Sequence, residues 1–360
     1  MKNRLLDKNN LSYWLRQLRG GTAPHGRHGL PRHWGTAPSD IGGMGLIAPM
    51  HKEGDIVFES IENIHEIALD CPASLPSPKE FLFPQFEPLF KKTGDGILDL
   101  RDDSKRVVFG VRSCDMSAIG LLDKFYLQGP VDPYYEARRK NTLFISIVCN
   151  RPDPTCFCAG LGAGPYLKKG FDIQLYDLGD RYFVQPGSKE AERLLNRYSF
   201  LFRKPQRADL EDQYEIELSS KASFQRRINL GAARQAMLAG KVKEGFWEKV
   251  SSRCIECGGC VYECPLCTCF TVMDRTYSET AERIRVWDAC LFKGFTRLSG
   301  NILPAEKKTL RTKRWFYHKL LYYPEAYGAY GCVGCGRCAI ACPGRIDMAS
   351  VVMKMKDEIS

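Results

Sequence analysis

The sequence predicts an α/β domain over residues 1–245, followed by a smaller, mainly α-helical, cysteine-rich domain over residues 246–360. Three observations carry this reading. Between residues 106 and 148 two apolar, β-branched runs flank a segment of helical period, an order that favours a right-handed crossover between parallel strands. Strand-like runs then disappear beyond about residue 250. In their place come crowded cysteines, with aromatic residues mixed among basic ones.

The elements follow in chain order. Residues 20–45 are dense in Gly and Pro without a hydrophobic period, which reads as an extended loop. His25, His28 and His33 lie there at no usual metal-ligand spacing, so a polar surface loop is the expectation. RVVFGV (106–111) and NTLFISIV (141–148) have the length and composition of buried strands, with MSAIGLLDKFY (116–126) as the helix between them. FDIQLYDLGDRYFVQP (171–186) reads as two strands around a Gly179–Asp180 turn. Helical segments are expected near 188–203 and 223–250.

At 360 residues, 44% hydrophobic and 26% charged, the chain is ordinary for a globular protein. No run approaches the eighteen or so apolar residues of a membrane-spanning helix. The start, MKNRLLDKNNLSYWLRQLRG, shows no apolar secretory core, so a cytoplasmic location without a membrane partner is expected. Sixteen cysteines in a reducing compartment point to metal ligation before disulfides. Part of the net charge of +10 falls in EKKTLRTKRWFYHK (306–319). Such a run is first of all a solvated face, and otherwise a docking surface for an acidic protein or support for anionic groups nearby. No helix-turn-helix, finger or RNA-binding signature accompanies it, so no nucleic-acid partner is expected.

The chemistry lies in two identical runs. Cys254-x2-Cys257-x2-Cys260-x3-Cys264-Pro265 is the first, and Cys332-x2-Cys335-x2-Cys338-x3-Cys342-Pro343 the second. This spacing holds [4Fe–4S] clusters in bacterial ferredoxins, where the fourth cysteine ligates the cluster of the other run. A fourth cysteine that opens a helix pointing away from its own loop accounts for that exchange. The expected sets are therefore Cys254, Cys257, Cys260 and Cys342 for one cluster, and Cys332, Cys335, Cys338 and Cys264 for the other. Gly258, Gly259, Gly334 and Gly336 let the backbone approach. Zinc sites more often show two separated Cys pairs, and two copies of one four-cysteine run argue against zinc. The C-terminal part is thus predicted to be a mainly α-helical dicluster ferredoxin domain. Sixty-seven residues separate Cys264 from Cys332 and look helical (ETAERIRVWDACLFKGF), as in a helical ferredoxin with a large insertion.

Two fully ligated clusters carry electrons and leave no open iron for a substrate. No Walker loop, no G-x-G-x-x-G between strand and helix, no G-x-S-x-G and no H-E-x-x-H is present. AGLGAGP (159–165) reads as a loop packed around a cysteine pair. No catalytic residue is predicted.

Other cysteines remain. Cys114 follows RVVFGV and Cys149 ends NTLFISIV, so both belong at the C-terminal edge of a parallel sheet, where sites collect. Cys156 and Cys158 follow within reach of that edge. These four thiols form either a third iron–sulfur site or a set of buried free thiols. Cys267 and Cys269 have Cys290 as a local partner. With His318 as a distant fourth group they could hold a metal. The plainer expectation is that they pack beside the clusters and tune them.

Several strings, in order, carry a resemblance: SPKEFLFPQFEPLF (77–90), FGVRSCDMSAIGLLDKF (109–125), DPYYEARRKNTLFISIVCN (132–150), TCFCAGLGAGP (155–165), CPLCTCF (264–270) and RVWDACLFKGFT (285–296). Together with both cysteine runs they resemble the iron–sulfur beta subunit of cytoplasmic NAD(P)-linked nickel–iron hydrogenases, the sulfhydrogenases, and the corresponding iron–sulfur subunit of anaerobic sulfite reductase. Related chains attach to heterodisulfide-reductase-like assemblies. The resemblance begins at about residue 46, and Ser113 stands where that family usually has Pro. It implies a subunit passing electrons between an FAD- and NAD(P)H-binding flavoprotein and a distal catalytic subunit. The resembling strings include the four N-terminal cysteines. Two other functions compete: an iron–sulfur regulator binding nucleic acid, and a self-contained reductase with an N-terminal cluster at its active site.

Overall fold

The structure is a computed structural model and describes residues 1–19, 44–69, 73–278 and 280–359. The Gly/Pro-rich segment with His25, His28 and His33, and Cys71, lie outside the described residues. Strands run in chain order as β1 (Arg4–Asp7), β2 (Gly45–Lys52), β3 (Asp55–Ser60), β4 (Phe86–Thr93), β5 (Gly96–Asp99), β6 (Arg106–Arg112), β7 (Thr142–Ile147), β8 (Ile173–Asp177), β9 (Arg181–Pro186), β10 (Phe202–Arg203), β11 (Phe270–Thr276) and β12 (Ala281–Trp287). They form two sheets, one of order β10-β1-β9-β8-β7-β6-β2-β3 and one of order β11-β12-β4-β5.

In the large sheet, β2, β6, β7 and β8 are parallel. The expected strand–helix–strand unit is present. β6 runs into helix α2 (Ser113–Leu127), and α3 (Pro133–Lys140) leads into β7. Burial on both faces explains why β6 and β7 read as unbroken apolar runs. The β8–β9 hairpin forms around Gly179 as its turn chemistry predicts. One face of this sheet packs Trp14, Leu15, Phe109, Ile145 and Val184 together. The other packs Val108, Ile119, Leu122 and Phe144, with Cys114 and Cys158 among them.

The remaining helices depart from expectation in detail. Of the segment 188–203 only α4 (Lys189–Arg197) is an α-helix, the segment ends in strand β10, and α5 (Arg207–Ala222) was not anticipated. The segment 223–250 is two helices, α6 (Leu230–Leu238) and α7 (Glu244–Ser252), parted where Gly240 takes a positive φ of 66°. Helix α8 (Gly259–Tyr262) lies in the first cysteine run. After it come α9 (Lys308–Tyr317), a π-helical turn (His318–Tyr322), α10 (Tyr323–Tyr327), α11 (Arg337–Ala341) in the second run, and α12 (Met348–Ile359).

The main correction concerns the insertion between Cys264 and Cys332. Its first half is not helical. Residues 270–287 form the β11–β12 hairpin, and β12 pairs antiparallel with β4 from the N-terminal part of the chain. The 285–287 stretch alternates across the sheet: Arg285 is buried against Glu87 and Asp132, and Trp287 donates its Nε1–H to Phe83 O at 3.1 Å. The buried arginine made the strand look like a charged helix in sequence. Only the second half, 308–327, is helical. The C-terminal part is therefore a helical, cysteine-rich region carrying a β-hairpin, and a single sheet crosses residue 245.

Candidate metal centres

In each cysteine run the first three cysteines lie on a loop that ends in a short helix. Cys260 lies within α8 and Cys338 within α11. The fourth cysteine does not open a helix: Cys264 follows the end of α8 and Cys342 caps α11. The helix still carries the fourth thiol about a turn away from its own loop, as ligand exchange requires. The two short helices pack closely enough that a Cβ on Gly259 would sit 3.4 Å from Ala341 O.

The first set converges on a pocket. Cys254, Cys257 and Cys260 line it together with Cys342 from the second run, and Leu291, Thr312, Trp315, Phe316 and Ile346 complete the wall. Cys257 is exposed at its mouth, beside Arg253 and Ile255. Two buried donors on this wall, Thr312 Oγ1 and Trp315 Nε1, have no hydrogen-bond partner. Buried N–H and O–H groups without acceptors are rare in native structures and ask for an explanation. A cluster in the pocket that these two residues line would offer thiolate and sulfide acceptors. Among the described residues, no three His, Cys, Asp or Glu side chains close to the distances of a single-ion site. The thiols instead stand around the pocket wall, and the donor set fits an iron–sulfur cluster.

The second set also gathers. Each of Cys332 and Cys335 has Cys264 as an electrostatic neighbour, and Cys338 has Cys332 and Cys335. Burial pushes the thiols of Cys332 and Cys338 up, Cys332 to about 12. Cys264 departs in the other direction. A hydrogen bond from Cys267, with Lys319 and Lys79 close by, holds it well below the ordinary thiol range. Lys319 Nζ lies 3.2 Å from Cys264 Sγ and donates to Gly331 O at 2.8 Å. Lys79 Nζ donates to the carbonyls of Cys264 at 2.7 Å and Cys267 at 3.0 Å, and sits 4.1 Å from the Trp287 ring centroid. Both lysines are buried. Sequence reasoning did not single out Lys79, in SPKEF; it counted Lys319 in the basic run, with support for nearby anionic groups as one of that run's readings.

The four N-terminal cysteines do meet, and they meet against the second run. Cys158 has Cys149 and Cys156 as electrostatic neighbours, and Cys114 has Cys158; all but Cys149 also have Cys335. Burial raises the thiols of Cys114 and Cys158, and Cys156 to about 12. Phe157 N donates to Gly334 O at 2.8 Å, and Cys156 Sγ lies 3.5 Å from Cys335 O. Gly334 has φ +69°, and a Cβ there would stand 2.7 Å from Cys158 N, so only glycine permits this approach. Arg337 of the second run is fully buried in a two-pronged pair with Asp115, beside Cys114, at 2.6 and 3.1 Å.

Of the extra cysteines, Cys267 bonds Cys264 and Cys269 bonds Cys290, which lowers Cys269 to about 7. His318 sits on the π-helical turn, edge-on to Tyr323 at 6.0 Å between ring centroids.

The loops and thiol sets define an iron–sulfur protein of the electron-transfer class. Residues 253–346 match the family model of the 4Fe-4S dicluster domain. Over 318 residues the chain is 34% identical to sulfhydrogenase 2 subunit beta of Pyrococcus furiosus, covering 87% of this chain and 92% of that protein. It therefore belongs to the sulfhydrogenase beta-subunit family. No solved structure matches it.

Proposed function

We propose that this chain is the electron-relay subunit of a multi-subunit oxidoreductase. Its partners would be an FAD- and NAD(P)-binding flavoprotein and a distal catalytic subunit, of hydrogenase, sulfite-reductase or heterodisulfide-reductase type. The observation that carries the reading is Cys342 of the second run lining the pocket of Cys254, Cys257 and Cys260. That exchange is how two neighbouring [4Fe–4S] clusters are held in ferredoxins. Clusters bound there supply one-electron storage and exchange.

The protein's own contribution is position and environment. Cys264, Cys332, Cys335 and Cys338 make the second set. Cys114, Cys149, Cys156 and Cys158 make a third, with Cys156 and Cys158 packed on the loop of the second. Leu291, Trp315 and Phe316 give the first pocket an apolar wall. Cys257 is the exposed member of the series, and Lys249, Arg253 and Lys354 line the adjoining surface hollow. A basic rim around an exposed ligand suits the approach of an acidic protein. Cys267 and Cys290, both buried, and the half-buried Cys269 act as neighbours that tune the first two sets. Among the described residues no helix is long and apolar enough to cross a membrane.

Iron and acid-labile sulfide per chain, on anaerobically purified protein, test the count. Three cubanes give about 12 iron atoms. Replacing Cys156 and Cys158 by Ser should then lower the content to about 8. A wild-type value of about 8 would leave the N-terminal thiols as buried cysteines and remove the third site.

A further inference from the structure

The basic run 306–319 looks, in sequence, like a solvated face. In the structure one side of it faces both cysteine sets. Lys308 donates to Cys254 O at 3.1 Å. Thr312 and Trp315 line the first pocket with unpartnered donors. Lys319 reaches Cys264 Sγ, the thiol exchanged to the second set. Positions 308, 312, 315 and 319 follow the four-three-four spacing of one helical face. The π-helical turn at His318–Tyr322 falls where the last of them must reach the core, and such turns concentrate at functional positions.

The two sets differ in buried charge. Beside the first, the buried cation Arg311 is matched by Glu256. Beside the second, Arg337 is matched by Asp115. Lys319 is not matched: its bonds go to a thiol and a carbonyl, and among the described residues no carboxylate pairs with it. Lys79, the other buried lysine here, bonds backbone carbonyls and no thiol. An ammonium buried without an anion is costly. The candidate for its counter-charge is the Cys264 thiolate and what that thiolate binds.

We propose that Lys319 is a potential-setting residue, which makes the centre held by Cys264, Cys332, Cys335 and Cys338 easier to reduce than the centre held by Cys254, Cys257, Cys260 and Cys342. The inference rests on the assignment of these eight thiols to two clusters. A fixed positive charge hydrogen-bonded to a ligand sulfur lowers the cost of adding one electron to that centre. The first centre has only neutral unpartnered donors on its wall, Thr312 Oγ1 and Trp315 Nε1, and among the described residues no cation bonded to one of its thiols. An electron held by this chain therefore settles on the second centre, next to the N-terminal thiols, and not at the exposed Cys257 end.

The test is a redox titration of the full chain followed by electron paramagnetic resonance, with dithionite as reductant. Lys319→Met should move one wave to lower potential by more than any other, because Lys319 bonds Cys264 and only neighbours Cys260, and Lys319→Arg should restore it. Thr312→Val should move a different wave. If Lys319→Met loses iron, Lys319→Gln, which keeps a donor and drops the charge, reads the same shift. The proposal is overturned if no wave moves on loss of the charge, or if the Lys319 and Thr312 variants move the same wave most. A wild-type protein with fewer than two reducible centres would refute the dicluster reading itself, and iron content distinguishes that outcome.

Discussion

Asp115 and Arg337 are a sharp test of how the second cysteine run is anchored. They are 1% and 0% exposed, joined by bonds of 2.6 and 3.1 Å, and Arg337 also donates to Ser74 O at 2.8 Å. The pair ties the loop of Cys335 and Cys338 to the start of α2, beside Cys114. Replacing Arg337 by Met leaves a buried carboxylate with no cation, which costs about 3–5 kcal/mol. Replacing Asp115 by Leu strands a guanidinium at similar cost. Replacing both removes both orphans, and substituting apolar groups for a buried pair is often close to neutral. The double variant should therefore recover most of the loss, giving a coupling energy of about 3 kcal/mol or more. The assay is anaerobic urea denaturation of all four proteins, followed by far-ultraviolet circular dichroism. Coupling below about 0.5 kcal/mol, as for sites that do not touch, would sink the claim that this pair holds the run in place.

Two further outcomes follow from single positions. Burial, with Glu59 and Glu263 nearby, raises the Glu80 carboxyl to about 7. The folded chain therefore holds that proton more tightly than the unfolded chain, whose carboxyl titrates near about 4.3. The stability it contributes is full below that value and is lost as pH rises to 7, by about 2 kcal/mol after allowance for partial exposure. Glu80→Gln should flatten the fall in urea midpoint between pH 5 and 8, and an unchanged slope would refute the assignment. Gly334→Ala adds a Cβ 2.7 Å from Cys158 N at φ +69°, whereas Gly129→Ala has φ +80° and open space. Both incur backbone strain of about 1 kcal/mol. Only Gly334→Ala should lower iron per chain, and equal iron in the two variants would rule out a tight contact between the second run and residues 156–158.

What could be read from sequence was local. Ligand spacing is written in adjacent residues, so both cysteine runs were visible, and Cys342 does line the pocket of Cys254, Cys257 and Cys260. β6, α2, β7 and the β8–β9 hairpin were visible because burial on both faces or a Gly–Asp turn leaves a mark within a few positions. The convergence of Cys114, Cys149, Cys156 and Cys158 followed from the rule that parallel strands end along one edge. The β11–β12 hairpin was not visible, because Arg285 is buried only through partners about 200 and 150 positions away, Glu87 and Asp132. Lys79 was missed, and Lys319 was read first as part of a solvated face, for the same reason. A lysine in a basic or mixed segment reads as solvated until a distant chain covers it. The signal available was spacing: 312, 315 and 319 put two apolar-compatible residues and a lysine on one helical face.

These long-range contacts bear on how far the C-terminal part stands by itself. Lys79 enters from the N-terminal part to hold the carbonyls of Cys264 and Cys267, Asp115 neutralises Arg337, and β4 completes the sheet of the hairpin that follows Cys269. Each of these touches the second run or the segment after Cys264; the first pocket is lined wholly by residues after 252. The two thiol sets therefore differ in who builds them. The first is the work of the cysteine-rich region alone. The second is walled by both parts of the chain, and it is the one against which the N-terminal thiols pack. A piece of the chain beginning near residue 246 would keep the groups of the first pocket and lose Lys79, Asp115 and the β4 edge. Such a piece should hold its first centre and bind iron poorly at the second, because there the α/β part supplies the ammonium and the carboxylate that balance the buried charge.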